Sequence, residues 1–230
     1  MINGRTVGVI IPALNEEASI GLVLDGLSLA FDRVVVVDNG STDATVAIAR
    51  SKGAIVVHES RRGYGAACLR GIEAFAEDPP NVMLFCDADH SDHPDDALTI
   101  ATVVCSGQAE MCIGSRVLGE REHGALTPQQ IFGNWLATTL IRLRWGAHFS
   151  DLGPLRALTW DLLIGMDMQD VTWGWTVEMQ IKAARDSSLV KEIPVRYRRR
   201  IGTSKISGTI MGSLRAGYKI LHTIARYAIR

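Results

Sequence analysis

A mostly parallel α/β sheet flanked by helices, with an amphipathic helical extension at the C-terminus, is the fold class this sequence predicts. Three observations predict it. Short runs of Val and Ile recur that are too uniformly apolar to have a wet face. Helix-length amphipathic segments separate them, and acidic and small polar residues gather just after the runs. Residues 7–11 form the first strand, followed by helical spacing from near Glu16. Residues 34–37, four consecutive valines, form the second, followed by a helix from near Thr42 that Gly53 stops. Residues 54–57 form the third strand, and a helix starts near Gly65. Residues 82–86 form the fourth, after which Pro94 presets a first helical turn. Residues 111–113 complete the set, and the repetition reads as βαβ units with right-handed crossovers in a parallel sheet. After Gly114 the alternation stops; residues 130–144, 176–185 and 209–228 have helical spacing, with a short strand at 189–195.

Composition narrows the class. A chain of 230 residues, 47% hydrophobic, can bury one large core, which favours a globular enzyme over separate small domains. The four cysteines (Cys68, Cys86, Cys105, Cys112) have neither close metal-ligand spacing nor the density of a disulfide scaffold, so buried free thiols in a reducing compartment are expected. No stretch approaches a membrane span, and the first residues run into a strand without the pattern of a secretory leader. The net charge of −1 hides an asymmetry. From Lys191 onward ten Lys and Arg face one acid, Glu192, a local +9 that leaves −10 on the first 190 residues. Such a tail looks for anions: ligand phosphates, acidic headgroups, nucleic acid, or the acidic part of the same chain.

Asp87-Ala88-Asp89 stands where the fourth apolar run stops. Two carboxylates flanking one residue at a strand end point the same way and repel unless a cation lies between them. A divalent ion carrying a diphosphate fits this, because Mg2+ or Mn2+ takes hard oxygen ligands and completes its shell with phosphate and water. Parallel sheets bind ligands at the carboxyl ends of their strands. Pro12, Ala13, Asn15 and Glu16 follow the first strand, Asp38, Asn39, Gly40 and Ser41 the second, and Arg62, Gly63 and Gly65 the third. Asp38 can accept from a nucleobase N–H or a ribose hydroxyl, and Gly40 allows a left-handed turn. Ser41, Thr42 or Asp43 can also cap the next helix, and for Thr42 and Asp43 that structural role is the favoured one. Neither a dinucleotide fingerprint nor a Walker sequence is present.

In order along the chain, Val9–Glu17 (Val-Ile-Ile-Pro-Ala-Leu-Asn-Glu-Glu), Val37–Asp43 (Val-Asp-Asn-Gly-Ser-Thr-Asp), Arg62–Ala67 (Arg-Gly-Tyr-Gly-Ala-Ala), Asp87–Asp89, Gly114–Arg116 and Ser204–Ile206 resemble the family 2 glycosyltransferases of the GT-A fold, and within them the dolichyl-phosphate mannose or glucose synthases. The resemblance covers nearly the whole chain. It implies a catalytic domain at 1–206, with a nucleotide-binding part at about 1–115 and an acceptor-binding part at about 116–206, followed by a helix at 207–230. It implies that Pro12, Ala13, Glu16 and Asp38 hold base and ribose, that Asp87 and Asp89 bind the metal, and that Arg200, Ser204 and Lys205 close over the phosphates. Ser91 stands where relatives often place a Gln metal ligand, and Asn39 where they commonly have a second Asp. Transmembrane helices that follow the catalytic domain in some relatives have no counterpart here.

The implied reaction is inverting transfer of a hexose from UDP-glucose or GDP-mannose to a polyprenyl or dolichyl phosphate. A phosphate acceptor is already anionic and needs orientation, for which Arg116 and Arg156 are candidates. A hydroxyl acceptor would need a base, for which Asp151 and Glu178 are the candidates. Trp173 and Trp175 read as sugar-stacking, lipid-lining or core residues. In the last helix Ile210, Leu214, Tyr218, Leu221 and Ala225 recur at three- and four-residue steps beside Arg215, Lys219, His222 and Arg226, which suits either an anionic membrane surface or packing on its own domain. The expected location is cytoplasmic or peripheral on the inner membrane face, with no nucleic-acid partner. A non-catalytic nucleotide-sugar-binding module is the rival class. A nucleotidyltransferase is disfavoured by the missing glycine-rich basic loop after the first strand.

Overall fold

The computed structural model describes residues 1–27, 30–202 and 210–229, with the side chains of the last segment from residue 215 onward. Ser204 and Lys205 lie outside the described residues. The elements run β1 (Val7–Ala13), α1 (Ile20–Leu27), β2 (Arg33–Asp38), α2 (Thr45–Ser51), β3 (Ile55–His58), α3 (Tyr64–Glu73), β4 (Val82–Phe85), α4 (Pro94–Cys105), β5 (Met111–Ser115), α5 (Pro128–Trp145), β6 (Arg156–Thr159), α6 (Trp160–Gly165), α7 (Trp175–Arg185), β7 (Val190–Pro194) and α8 (Ile210–Ile229). They build one seven-stranded sheet of order β3-β2-β1-β4-β6-β5-β7. β1, β2, β3 and β4 pair in parallel, as their unbroken apolar runs predict, and β7 lies parallel to β5.

β6 departs from the parallel expectation. It runs antiparallel between β4 and β5, with Arg156 opposite both Phe85 and Ile113. The short segment Arg-Ala-Leu-Thr carries a cation at its head and gave no strand signal. α6, six residues long, was equally silent.

Two apolar clusters sandwich the sheet. α1, α2 and α4 cover one face, where Ile20, Leu24, Leu27, Ile100 and Val104 meet Val9, Ile11 and Leu84. α3, α6 and α7 cover the other, where Cys68, Leu163, Trp175 and Met179 meet Ile10, Phe85 and Leu158. A third cluster joins α5, α7 and α8 through Ala137, Ile141, Val177, Ile181, Ile224 and Tyr227. All four cysteines are buried and unpaired, as their spacing predicts.

Helix starts follow side-chain competition for backbone groups. α1 begins at Ile20, later than near Glu16, because Asn15 takes a left-handed conformation and Glu16–Ser19 form a turn. Asp43 accepts from the Thr45 N–H and hydroxyl just ahead of α2, one residue before the N-cap position, which is Ala44 and has no side-chain cap. Thr127 and Gln130 form a reciprocal capping box at α5, with Pro128 in its first turn. In α8 the packed residues are Thr223, Ile224 and Tyr227. Of the stripe read from the sequence, Tyr218, Leu221 and Ala225 point outward instead, and the side chains of Ile210 and Leu214 lie outside the described ones. Among the described residues no helix is long and apolar enough to cross a membrane.

Candidate active site

The carboxyl ends of β1, β2, β3 and β4 open onto a cavity of about 430 Å³. β4 stops at Phe85, so Asp87-Ala88-Asp89 forms the loop just past it. Pro12, Ala13, Glu16, Asn39, Arg62, Gly63, Asp87, Ala88, Asp89 and Arg200 all line this cavity. A second cavity, about 360 Å³, is lined by Arg116, Arg121 and Tyr197 and runs out between α5 and α8 past Ile131 and Ile220. Tyr64, Asp87, Asp89, Trp173 and Arg200 line both, so the two spaces meet at the carboxylate pair.

The electrostatics at that junction call for a cation. Burial, and then the charge of Asp89, lift the Asp87 carboxyl to about 7, against the Tyr64 hydroxyl donated to it at 3.1 Å. Arg200 lies 3.2 Å from Asp89 and 3.4 Å from Glu16. Behind the pair, burial and the charges of Asp87 and Asp89 lift Asp92 to about 8, and its Oδ1 has no hydrogen-bond partner among the described residues. No group of three or more His, Cys, Asp or Glu gathers to cage a metal among the described residues. Two hard carboxylates short of positive charge therefore fit a divalent ion that brings most of its ligands with it.

A pH dependence follows. A carboxyl raised from its ordinary 3.8 to about 7 or about 8 keeps its proton in the fold where the unfolded chain has lost it. The folded state then binds more protons across that interval, and stability falls as pH rises through it. A bound divalent cation opposes this by favouring the ionised pair. Thermal melts at about pH 5.5 and about pH 7.5 should show a larger Mn2+-induced rise at the higher pH. Equal rises would remove the cation from this site.

Several residues expected at the donor site make hydrogen bonds that shape its walls. Asp38 accepts from the Ser41 N–H at 2.8 Å and meets His58 Nδ1 at 3.0 Å. Despite the opposing effect of burial, those hydrogen bonds hold its carboxyl low. Asn15 takes the Thr42 N–H on its side chain while its own N–H goes to Ser41 Oγ, and Gly40 turns with φ 86° beneath the Arg62 guanidinium. Asn39 donates to the carbonyls of Glu59 and Arg61 and accepts from the Gly63 N–H. This explains the amide at that position, because a carboxylate could not donate to two carbonyls. Asn39→Asp is expected to cost about 2 kcal/mol and to weaken nucleotide binding, read by thermal melting and nucleotide titration. An unchanged melt would show the tie to be dispensable.

Four expectations are corrected. Arg156 is fully buried in the middle of the sheet and spends its guanidinium on the carbonyls of Leu152, Gly153 and Thr176, so it reaches no acceptor. Asp151, fully buried, is clasped by Arg116 through Nε at 2.7 Å and Nη2 at 2.8 Å. Burial would raise its carboxyl, but Arg116 holds it below the ordinary range, and it lines neither cavity. Glu178, also fully buried, accepts from the Gln169 and Asp170 N–H groups and from the Tyr227 hydroxyl. Neither carboxylate is placed to act as a base. Ser91 lies buried behind Asp89 and donates its hydroxyl to Asp89 Oδ1 at 2.5 Å, supporting the carboxylate from the side away from the cavity. Arg116 does line the second cavity, but with its charge matched by Asp151.

Tyr64, Arg121, Thr172 and Tyr197 were missed as wall residues. Tyr64 sat in plain view between two glycines already singled out.

A sequence-family model described as glycosyl transferase family 2 matches residues 8–163. Over 208 residues the chain is 31% identical to the low-salt glycan biosynthesis hexosyltransferase Agl6 of Haloferax volcanii; the match covers 87% of this chain but only half the length of that protein. It is 30% identical over 217 residues to the undecaprenyl-phosphate mannosyltransferase of Micrococcus luteus, covering 88% of each. Among solved structures, glucosyl-3-phosphoglycerate synthase from Mycobacterium tuberculosis, in complex with Mn2+, UDP and glucosyl-3-phosphoglycerate, superposes with a TM-score of 0.77. That match has 23% identity and covers 98% of this chain and 80% of the other, which establishes a shared fold.

Proposed function

The chain belongs to glycosyltransferase family 2, and from that premise we propose that it transfers a hexose, with inversion, from UDP-glucose or GDP-mannose to a polyprenyl or dolichyl phosphate. The observation that carries this reading is the junction of two cavities at Asp87 and Asp89, one enclosed by strand ends and the other leading out between α5 and α8. The first suits a nucleotide sugar, with Pro12, Ala13 and Glu16 against the nucleoside and Arg62 near the mouth. The second suits an amphiphile. Its lining combines Arg116, Arg121 and Arg200 with apolar Val117, Leu126, Ile131, Leu152 and Ile220.

Asp89, with Asp87 beside it, would hold Mg2+ or Mn2+, which when bound supplies positive charge to the oxygens of the departing diphosphate. Arg200 already rests on Asp89 and can turn to the same oxygens, where charge develops as the sugar leaves. Tyr64 and Trp173 wall the junction. A phosphate monoester attacks as an anion and needs no general base, in keeping with the occupied state of Asp151 and Glu178.

The surface around the second cavity supports a lipid source for that phosphate. α5 exposes Ile131, Phe132, Trp135 and Leu143, while α8 exposes Tyr218, Leu221 and Ile229. Neither helix contains an acidic residue, and Arg142, Arg144, Arg215 and Arg226 flank the apolar side chains. Aromatic and basic residues together suit peripheral contact with an anionic bilayer. Co-sedimentation with anionic vesicles at low salt tests that contact, and protein left in the supernatant would count against it.

The deciding experiment supplies labelled UDP-glucose or GDP-mannose with Mn2+ or Mg2+ to a short polyprenyl phosphate and, separately, to 3-phosphoglycerate. Label that enters the organic phase and is lost with a chelator is the expected result. Label confined to a water-soluble phosphorylated product would replace the lipid acceptor with a soluble one.

A further inference from the structure

The loop between α6 and α7 delivers Thr172 and Trp173 to the donor cavity, and two buried carboxylates hold it in shape. Asp170 Oδ1 accepts from the Thr172 N–H at 2.7 Å, the Thr172 hydroxyl at 3.0 Å and the Gly174 N–H at 3.1 Å. Glu178 accepts from the Gln169 N–H at 3.0 Å and the Asp170 N–H at 2.6 Å. Each carboxylate is in turn met by a residue of α8, Glu178 in addition to its ion pair with Lys182 at 2.9 Å within α7. Lys219 Nζ lies 2.8 Å from Asp170 Oδ2, and the Tyr227 hydroxyl donates to Glu178 at 2.5 Å.

On its other side the loop grips the start of α3. The Gly65 N–H donates to the Thr172 carbonyl at 3.1 Å and the Ala66 N–H to the Val171 carbonyl at 2.9 Å. The approach is so close that a Cβ on Gly63 or Gly65 would fall 2.1 Å from the Val171 oxygen or 2.0 Å from the Asp170 oxygen. Tyr64, between those glycines, is the residue that donates to Asp87. A continuous path of hydrogen bonds therefore runs from α8 through the loop to the residues that wall the donor cavity.

We propose that Lys219 and Tyr227 are positioning residues for the nucleotide-sugar cavity, acting through Asp170 and Glu178 to fix the loop that carries Trp173 and backs Tyr64. α8 is thus a brace for the donor half of the site as well as a wall of the acceptor half. The inference rests on the donor reading of the first cavity. Neither residue touches that cavity, so its effect should fall on donor affinity.

The test combines Lys219→Met, Tyr227→Phe and their double variant with Lys219→Arg as the conservative control. Titration with UDP and GDP in the presence of Mn2+ should show affinity falling about tenfold in the double variant, with Lys219→Arg close to wild type. Donor KM should rise with it, while kcat at saturating donor stays within about twofold. Amide hydrogen exchange without nucleotide should quicken at Gly65, Ala66 and Gly174. Unchanged exchange at those amides overturns the brace, as does faster exchange with unchanged nucleotide affinity. Equal losses in donor KM, acceptor KM and kcat would also overturn it by reducing the two residues to general stability. A wild-type protein that binds neither nucleotide would remove the donor reading and with it the assigned purpose of the brace, whereas normal wild-type binding left intact in the variants removes the brace alone.

Discussion

Asp89→Asn is expected to lower hexose transfer by about a thousandfold or more while the protein still folds. The substitution is chosen for what it keeps. The amide oxygen can still accept from the Ser91 N–H and hydroxyl, which approach the same Oδ1 at 3.0 Å and 2.5 Å. What disappears is the charge. Asp89 Oδ2 faces Arg200 at 3.2 Å and is the partner whose field helps lift Asp87. With one carboxylate left, a divalent ion loses half of its protein anions at the junction, and Arg200 meets an amide where it had an anion. The Asp87 carboxyl should then return toward its ordinary value, because the like charge beside it is gone. Initial-rate measurements at saturating donor and acceptor, with Mn2+ varied, check the first effect, and thermal melting checks the fold. Turnover within tenfold of wild type would take Asp89 out of the chemistry.

Arg116→Ala is expected to cost about 3–5 kcal/mol of stability, the largest loss among the single changes considered. Its partner Asp151 has no exposed side-chain surface, and removing the guanidinium strips it of two charge-assisted donors, leaving it only neutral backbone N–H groups such as that of Arg116 among the described residues. An uncompensated carboxylate in such a place costs several times more than a surface ion pair is worth. For a domain of this size the melting temperature should fall by roughly 10 °C. Adding Asp151→Asn should recover part of the loss, since an amide there carries no charge to strand. If Arg116 served the acceptor alone, activity would fall with no change in melting, and the double substitution would bring nothing back.

The β1 to β5 runs were readable to within one or two residues: β1, β4 and β5 are buried almost throughout, which leaves a sequence little freedom for polar residues, and even β3, the partly exposed edge strand, keeps an Ile-Val-Val run. β6 was not readable. A cation at its head signals solvent in a sequence, yet Arg156 sits at the centre of the sheet with its charge spread over three carbonyls. The site divides the same way. The rule that ligands gather beyond strand ends brought Glu16 and the Asp87–Asp89 pair together, and Arg200, singled out by the resemblance, joins them there. The same rule also named Asp38 and Ser41, which spend their hydrogen bonds on the turn after β2. Asp151 and Glu178 were suspected as bases because a sequence gives a carboxylate no direction. Each turns inward, Asp151 to an arginine 35 residues earlier and Glu178 to a tyrosine 49 residues later, pairings that no local spacing announces, although Glu178 also pairs with Lys182 one turn on in α7. Trp173 entered the site because Asp170 folds the loop around it, a turn dictated by a single side chain.

The sheet order also sets a schedule for the growing chain. β3, β2, β1 and β4 are complete by residue 85 and pair with one another, so that half can condense while the remainder is still being synthesised. β5 follows soon after but has no neighbour waiting, because its link to β4 is β6, more than forty residues later. Until Arg156–Thr159 is inserted, β4 and β5 both present open edges, the arrangement most prone to pairing with another chain. The wedge that finally joins them carries a buried arginine that needs its three carbonyl partners at the moment of docking. Joining the two halves is therefore the late, long-range event in folding, and a substitution in β6 should show first as aggregation during synthesis rather than as altered chemistry.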